Sequence, residues 1–143
     1  AAMISKVFQL NDLTAKDLMT PRVAAPTLPG RVSLQSVKSN LLENNATWWV
    51  ILGEEVDKVV GVANREKLLT SLLRGDSHLT PYELSENVEF VPEMIRVDRL
   101  LLGFNEDKKG VRVVVDEFGG FVGLVGAEAV LAVLAGWWGK SKS

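Results

Sequence analysis

The chain has 143 residues, 47% apolar and 24% charged, enough to bury the core of one domain or of two small repeats. A formal net charge of −2 leaves no electrostatic footprint for nucleic acid. Without cysteine there is no disulfide framework, no thiolate metal site and no cysteine nucleophile.

In chain order, the first ten residues lack a basic start followed by an apolar run, so no signal peptide is expected. Residues 13–19 read as a short helical turn stopped by Pro21, and residues 24–28 as a short extended piece. Ser33 is placed to cap a helix running to about Asn44, with Leu34, Val37, Leu41 and Leu42 on one face. Residues 48–52 and 59–63 read as strands, and Trp48 and Trp49 should point to opposite faces. Asn64 can cap the next helix, which carries Leu68, Leu69, Leu72 and Leu73 and ends at Gly75.

Residues 76–87 form a polar connector with Thr80-Pro81 and the sole histidine, His78, which reads as a loop residue. Residues 88–91 are extended, and Val97, Leu100, Leu101 and Phe104 form a helical stripe. Residues 111–125 form a hairpin turning at Gly119-Gly120, with Asp116-Glu117 a solvated turn rather than a metal pair. A closing helix runs from about Ala127 to Trp138, apolar all round and so expected to be buried on all sides. Residues 118–139 carry a single charge and could cross a bilayer by length, yet the Gly-Gly turn favours hairpin plus helix over a membrane span.

Setting Gly61 on Gly123, an offset of 62 residues, lays Val59-Val60-Gly61-Val62 on Phe121-Val122-Gly123-Leu124 without a gap. The same register lays Val50-Ile51-Leu52 on Arg112-Val113-Val114, Glu54-Glu55 on Asp116-Glu117 and Leu68 on Val130. The chain is therefore read as an α/β protein of two pseudo-symmetric β-α-β-β-α repeats, small sheets covered by helices, with both hairpins central. Its expected divisions are 1–75, a connector 76–87, and 88–143. A unit built twice has room for paired clefts, which points to ligand sensing. No Ser–His–Asp set, paired catalytic acids, phosphate-cradling glycine loop or metal-ligand cluster suggests an enzyme.

Asp17-Leu18-Met19-Thr20-Pro21-Arg22 resembles the Met-Thr-Pro-Arg signature of the hemolysin-C/CorC-like family of magnesium and cobalt transport-associated membrane proteins. Val114-Val115-Asp116-Glu117-Phe118-Gly119-Gly120 is similar to that family's second-repeat hairpin, and the whole chain resembles its paired cystathionine-β-synthase-type (CBS) domain, or Bateman module. The resemblance implies a soluble regulatory fragment at the cytoplasmic face of a membrane protein, joined to a membrane-spanning domain. It also implies a homodimer packed as a disc. Clefts between the repeats of such modules hold adenosine nucleotides such as ATP or AMP, in some relatives with magnesium.

In the wider superfamily the junction of last strand and final helix carries Thr or Ser, then Asp three positions on. The hydroxyl and the helix amides hold phosphate, and the carboxylate accepts from ribose hydroxyls. Here those positions are Gly126 and Ala129 in the second repeat and Asn64 and Lys67 in the first. Each missing carboxylate removes a charge-assisted hydrogen bond of roughly 1.5–3 kcal/mol. That is about one to two factors of ten in affinity.

The candidate ligand-binding residues are Thr20, Arg22, Asn64, Arg65, Lys67, Gly126 and Glu128. Arg65 and Lys67 lie in the first turn after Asn64, where exposed amides favour an anion; otherwise they reach solvent or pair with Glu66 and Glu54. Arg22 can reach a phosphate or pair with a carboxylate such as Glu117. One of Trp48 and Trp49 is core, and the other serves an adenine ring or a dimer contact. Trp137 and Trp138 suit self-association or contact with a membrane domain. Two functions stay open: a nucleotide sensor whose ligand changes dimer geometry, and a dimerisation scaffold with degenerate clefts.

Overall fold

The runs at 48–52 and 111–115 are nearly all apolar with no alternation, and both become central strands whose two faces are covered. The computed structural model of the chain describes residues 12–55, 58–107 and 109–142, with side chains to Gly136. Within these residues, β2 (Thr27–Pro29), β3 (Trp48–Leu52) and β4 (Val59–Asn64) form a sheet in the order β2-β3-β4. A second sheet has the order β1-β7-β6-β5, from β1 (Thr20–Pro21), β5 (Glu89–Pro92), β6 (Val111–Val115) and β7 (Phe121–Gly126). Each sheet combines a parallel pair, β2–β3 or β5–β6, with an antiparallel hairpin. The helices are α1 (Ala15–Leu18), α2 (Lys38–Glu43), α3 (Arg65–Leu73), α4 (Val97–Glu106) and α5 (Ala127–Lys142), with 3-10 turns at Arg22–Ala24 and Leu34–Val37. No helix among the described residues is long and apolar enough to cross a membrane.

The chain folds into two compact units. The described residues up to Arg22 join those from Glu89 onward, around the four-stranded sheet, and Val23–Val88 forms the other unit. These limits differ from the expected 1–75, 76–87 and 88–143, because the lead-in pairs with the far half of the chain. The Ala15 N–H donates to the Ile95 carbonyl (2.9 Å), Lys16 N–H to Glu93 (2.9 Å) and Val97 N–H to Leu13 (3.0 Å). Thr20 and Pro21 then face Leu124 and Gly123 across β1–β7. Residues 76–87 belong to the other unit: Leu79 and Leu84 pack on its core, and Glu86 exchanges two backbone hydrogen bonds with Val62 (3.0 and 2.7 Å).

Strand pairing also corrects the repeat register. Ile51 faces Gly61 and Val114 faces Gly123, so Val50-Ile51-Leu52 corresponds to Val113-Val114-Val115, one residue on from the ungapped alignment. The first hairpin loop is one residue longer, and each hairpin shifts register at the same place, after Ile51 or Val114. In this register Leu34, Val37 and Leu41 match Val97, Leu100 and Phe104, the helix residues that pack on each sheet.

Other expectations change with the geometry. The Ser33 hydroxyl accepts from Ser36 N–H as a cap, but the helix begins as a 3-10 turn, with three residues per turn. The buried stripe therefore runs through Leu34, Val37 and Leu41 and leaves Leu42 60% exposed. Leu73, at the end of α3, and Leu101 also face outward. β6 and β7 are internal, whereas β4 lies at the end of its sheet's strand order, bridged there by Glu86; Val114 is buried and Val60 half-buried. Trp49 is buried with its Nε1–H donating to the Ala46 carbonyl at 3.0 Å, while Trp48 is half-buried, as opposite faces require.

α5 is not buried all round. Val130 and Leu134 reach the core, but Leu131 is 57% exposed and Ala132 and Ala135 are exposed too, since a helix on a sheet covers only the face turned to it. The side chains of Trp137 and Trp138 lie outside the described residues.

Candidate functional site

In the Val23–Val88 unit, β4 runs directly into α3 at Asn64. The Asn64 Oδ1 accepts from Glu66 N–H at 2.9 Å and Lys67 N–H at 3.3 Å, so the cap itself satisfies two of the helix's free amides. Asn64→Ala should cost about 1 kcal/mol of stability, seen as a lower urea midpoint at unchanged slope. Arg65 is spent on structure: its Nε–H donates to the Leu41 carbonyl in the last turn of α2 (2.9 Å), and its backbone N–H to Thr47 (2.8 Å). Lys67 is exposed. With Asn64, Glu66, Thr70, Ser71, Arg74 and Leu84 it lines an open hollow of about 490 Å³ that carries two cations and one carboxylate.

The other candidates lie in the second unit. Thr20 is exposed on β1 opposite Leu124, and the Arg22 guanidinium lies 5.9 Å from the Phe121 ring, within cation–π range. Gly126 ends β7 opposite Val111, and a Cβ there would lie 2.7 Å from a Glu128 carboxylate oxygen. That carboxylate folds over the start of α5, where helix amides favour negative charge, and fills the space a Thr or Ser side chain would use. Thr20, Arg22, Gly126 and Glu128 thus fall in one unit, with Arg22 beside the start of β7 and Gly126 at its end, and Asn64, Arg65 and Lys67 fall in the other.

Asp116 Oδ1 accepts from Phe118 N–H (2.9 Å) and Gly120 N–H (2.8 Å) and builds the hairpin turn, while Glu117 and His78 are exposed. Among the described residues no group of three acidic, His or Cys side chains is placed to hold a metal ion.

One polar side chain marked by no motif is Arg112, buried in β6 at 2% exposure. Its Nη1 donates to Asp107 Oδ2 at 2.6 Å and to the Val111 carbonyl at 3.0 Å; Nε lies 3.4 Å from Glu89, and the guanidinium 4.9 Å from the Phe104 ring. The Lys109 backbone N–H, and then the Arg112 guanidinium, hold the Asp107 carboxyl below its ordinary range against the opposing effect of burial. In the corrected register Arg112 matches Trp49 and Asp107 matches Asn44, and both Asn44 and Asp107 accept from the backbone N–H two residues on (2.9 Å each). A lone Arg in an apolar strand five residues after an Asp is the signal that could have marked the pair. Nearby, Leu101, Leu102, Phe104, Ala127 and Leu131 line an apolar hollow of about 510 Å³.

No protein-family model matches the chain. It is similar to a UPF0053 protein of Synechocystis sp., 42% identical over 134 residues that cover 94% of this chain and 39% of that protein. It is 31% identical over 137 residues to the magnesium and cobalt efflux protein CorC of Vibrio cholerae, covering 94% of this chain and 46% of that protein. The chain therefore spans less than half the length of these curated relatives. Among solved structures it is similar to the CBS domain of the bacterial CNNM/CorC family Mg2+ transporter in complex with ATP. There the TM-score is 0.84 at 30% identity, covering 94% of this chain and 95% of that one.

Proposed function

The chain belongs to the CBS domains of the CNNM/CorC family, and from that footing we propose that it is a regulatory module that binds an adenosine nucleotide and thereby adjusts divalent-cation transport by a larger protein. The likeness, over nearly all of both chains, to a CBS domain solved with ATP carries this reading. In the Val23–Val88 unit Lys67 and Arg74 are cations suited to phosphate; the other unit, taken by itself, offers the Arg22 guanidinium and the Thr20 hydroxyl. Magnesium enters this reading only with the phosphates of ATP. Regulation requires the nucleotide to bind one conformation of the module more tightly than another.

A second copy of the chain and a membrane-spanning domain are the proposed partners, placing the module at the cytoplasmic face of a membrane. The exposed Leu101, Leu102 and Leu131 support self-association, since apolar side chains of this size gain by leaving water.

Calorimetric titration with ATP, AMP and magnesium-ATP tests the proposal. Micromolar binding is expected, weakened about tenfold or more by Lys67→Glu through the loss of a charge-assisted contact. No heat at millimolar nucleotide, together with an unshifted melting temperature, would leave a dimerisation scaffold instead.

A further inference from the structure

The side of α3 turned to the polar hollow repeats its polar residues at the period of the helix. Lys67, Ser71 and Arg74 stand at i, i+4 and i+7 and form one stripe over two turns, about 10 Å long at 1.5 Å per residue. Among the described residues neither the Lys67 nor the Arg74 side chain makes a hydrogen bond or an ion pair, whereas Arg31, Arg65 and Arg112 all do. The Ser71 hydroxyl is likewise unengaged among them, while the Thr70 hydroxyl donates to the Glu66 carbonyl at 2.8 Å.

The stripe occurs in one unit only. Strand pairing matches Gly61 with Gly123, so Lys67, Ser71 and Arg74 correspond to Ala129, Val133 and Gly136, which carry neither charge nor hydroxyl. Nor does the stripe depend on the helix amides, because Asn64 Oδ1 already accepts from the Glu66 and Lys67 N–H groups. A cation in the first turn opposes the helix dipole, and one at the last turn complements it. Lys67 therefore lowers the stability of the free chain and Arg74 raises it, yet both line the same hollow.

We propose that this stripe is a seat for a chain of phosphates, one group at Lys67 and another at Arg74, with the Ser71 hydroxyl donating between them. Cations two turns apart suit a di- or triphosphate, since a lone phosphate engages fewer of the three donors. Glu66 lines the same hollow and opposes any anion there. In taking the phosphates of the proposed nucleotide as its ligand, the seat rests on that reading. It adds that ATP is preferred to AMP and that each chain holds one.

Calorimetric titration of the 143-residue chain with sodium tripolyphosphate, orthophosphate, ATP and AMP tests the seat. Tripolyphosphate and ATP should bind once per chain, about tenfold or more tighter than orthophosphate and AMP, the worth of one further charge-assisted contact. Lys67→Gln and Arg74→Gln should each weaken tripolyphosphate about tenfold and shrink the preference for ATP, and Glu66→Gln should strengthen both ligands. Melting without ligand separates this from a structural role. Lys67→Gln should raise Tm by about 1–4 °C, and Arg74→Gln should lower it by a similar amount. Lys38→Gln, which removes an exposed cation of α2 outside the hollow, should leave every affinity unchanged. No binding of tripolyphosphate would overturn the seat, and so would an equal weakening by Lys38→Gln. ATP binding at wild-type strength in both Lys67→Gln and Arg74→Gln would also overturn it and leave the nucleotide reading standing. Tripolyphosphate binding that both variants weaken, without ATP binding, would uphold the seat and end the nucleotide reading.

Discussion

Replacing Asp107 with Ala should lower folding stability by about 3 kcal/mol, because the Arg112 guanidinium would stay buried without its closest partner. Removing one member of a buried pair costs about 3–5 kcal/mol, and the partial exposure of Asp107 places the effect at the lower end. Glu89 is no substitute, since it is largely exposed and its oxygen is 3.4 Å from Nε. Combining Asp107→Ala with Arg112→Met should recover most of the loss, because an unbranched apolar side chain fills similar space with no charge to strand. Urea unfolding of the three proteins decides this. A double variant no better than the single one would show that packing on Phe104, rather than charge, sets the value of Arg112.

The same pair gives a pH signature. The Asp107 carboxyl is held below its ordinary value, so under acid the unfolded chain takes up the proton first. Its contribution is complete above about pH 4, the ordinary Asp range, and fades as pH falls through the lowered folded value. The stability gap between wild type and Asp107→Ala should therefore be constant at neutral pH and close below about pH 4. A gap that persisted undiminished into strong acid would show that the carboxylate charge does not matter.

Trp49→Ala should cost about 3–5 kcal/mol, the range for deleting a large buried aromatic. Trp49→Phe keeps most of the apolar area but leaves the Ala46 carbonyl without its indole donor, a loss of about 1 kcal/mol. Chemical unfolding reads both. Equal costs for the two would mean that the hydrogen bond, not the ring volume, holds this corner. Trp49 and Arg112 are the same position in two units, one filled by a ring satisfied by a carbonyl, the other by a guanidinium satisfied by a carboxylate.

Local features were legible because they rest on local rules. Asn64 before an apolar helix and Gly119-Gly120 between Val-rich runs each reflect nearest-turn chemistry, and each forms, while of the expected stripe Leu34, Val37, Leu41 and Leu42 the first three are buried and Leu42 is not. The Met19-Thr20-Pro21-Arg22 and Asp116–Gly120 motifs pointed to the family that the comparisons show. Partners distant in sequence were not legible. Nothing local tells Thr20 that it will lie beside Leu124, or Arg112 that Glu89 waits across a parallel pair. The one-residue difference in hairpin loops was hidden because an ungapped match rewards like residues and ignores strand pairing. At the candidate site, the Asn64 cap foreseen from sequence forms. What sequence could not show is that Arg65 is spent on Leu41 and that Glu128 closes over Gly126.

The exchanged lead-ins bear on how such a chain can be cut. A fragment ending at Val88 would carry Thr20-Pro21 and Ala15 with neither the edge nor the core they fit. A fragment beginning at Glu89 would keep β7 but lack the backbone that borders it, leaving an open strand edge of the kind that recruits other chains. The repeats are thus separable by eye and by sequence similarity, yet no single scission yields both intact: Val23–Val88 is one continuous segment, whereas moving the unit of the four-stranded sheet into another protein would require carrying residues from both sides of it.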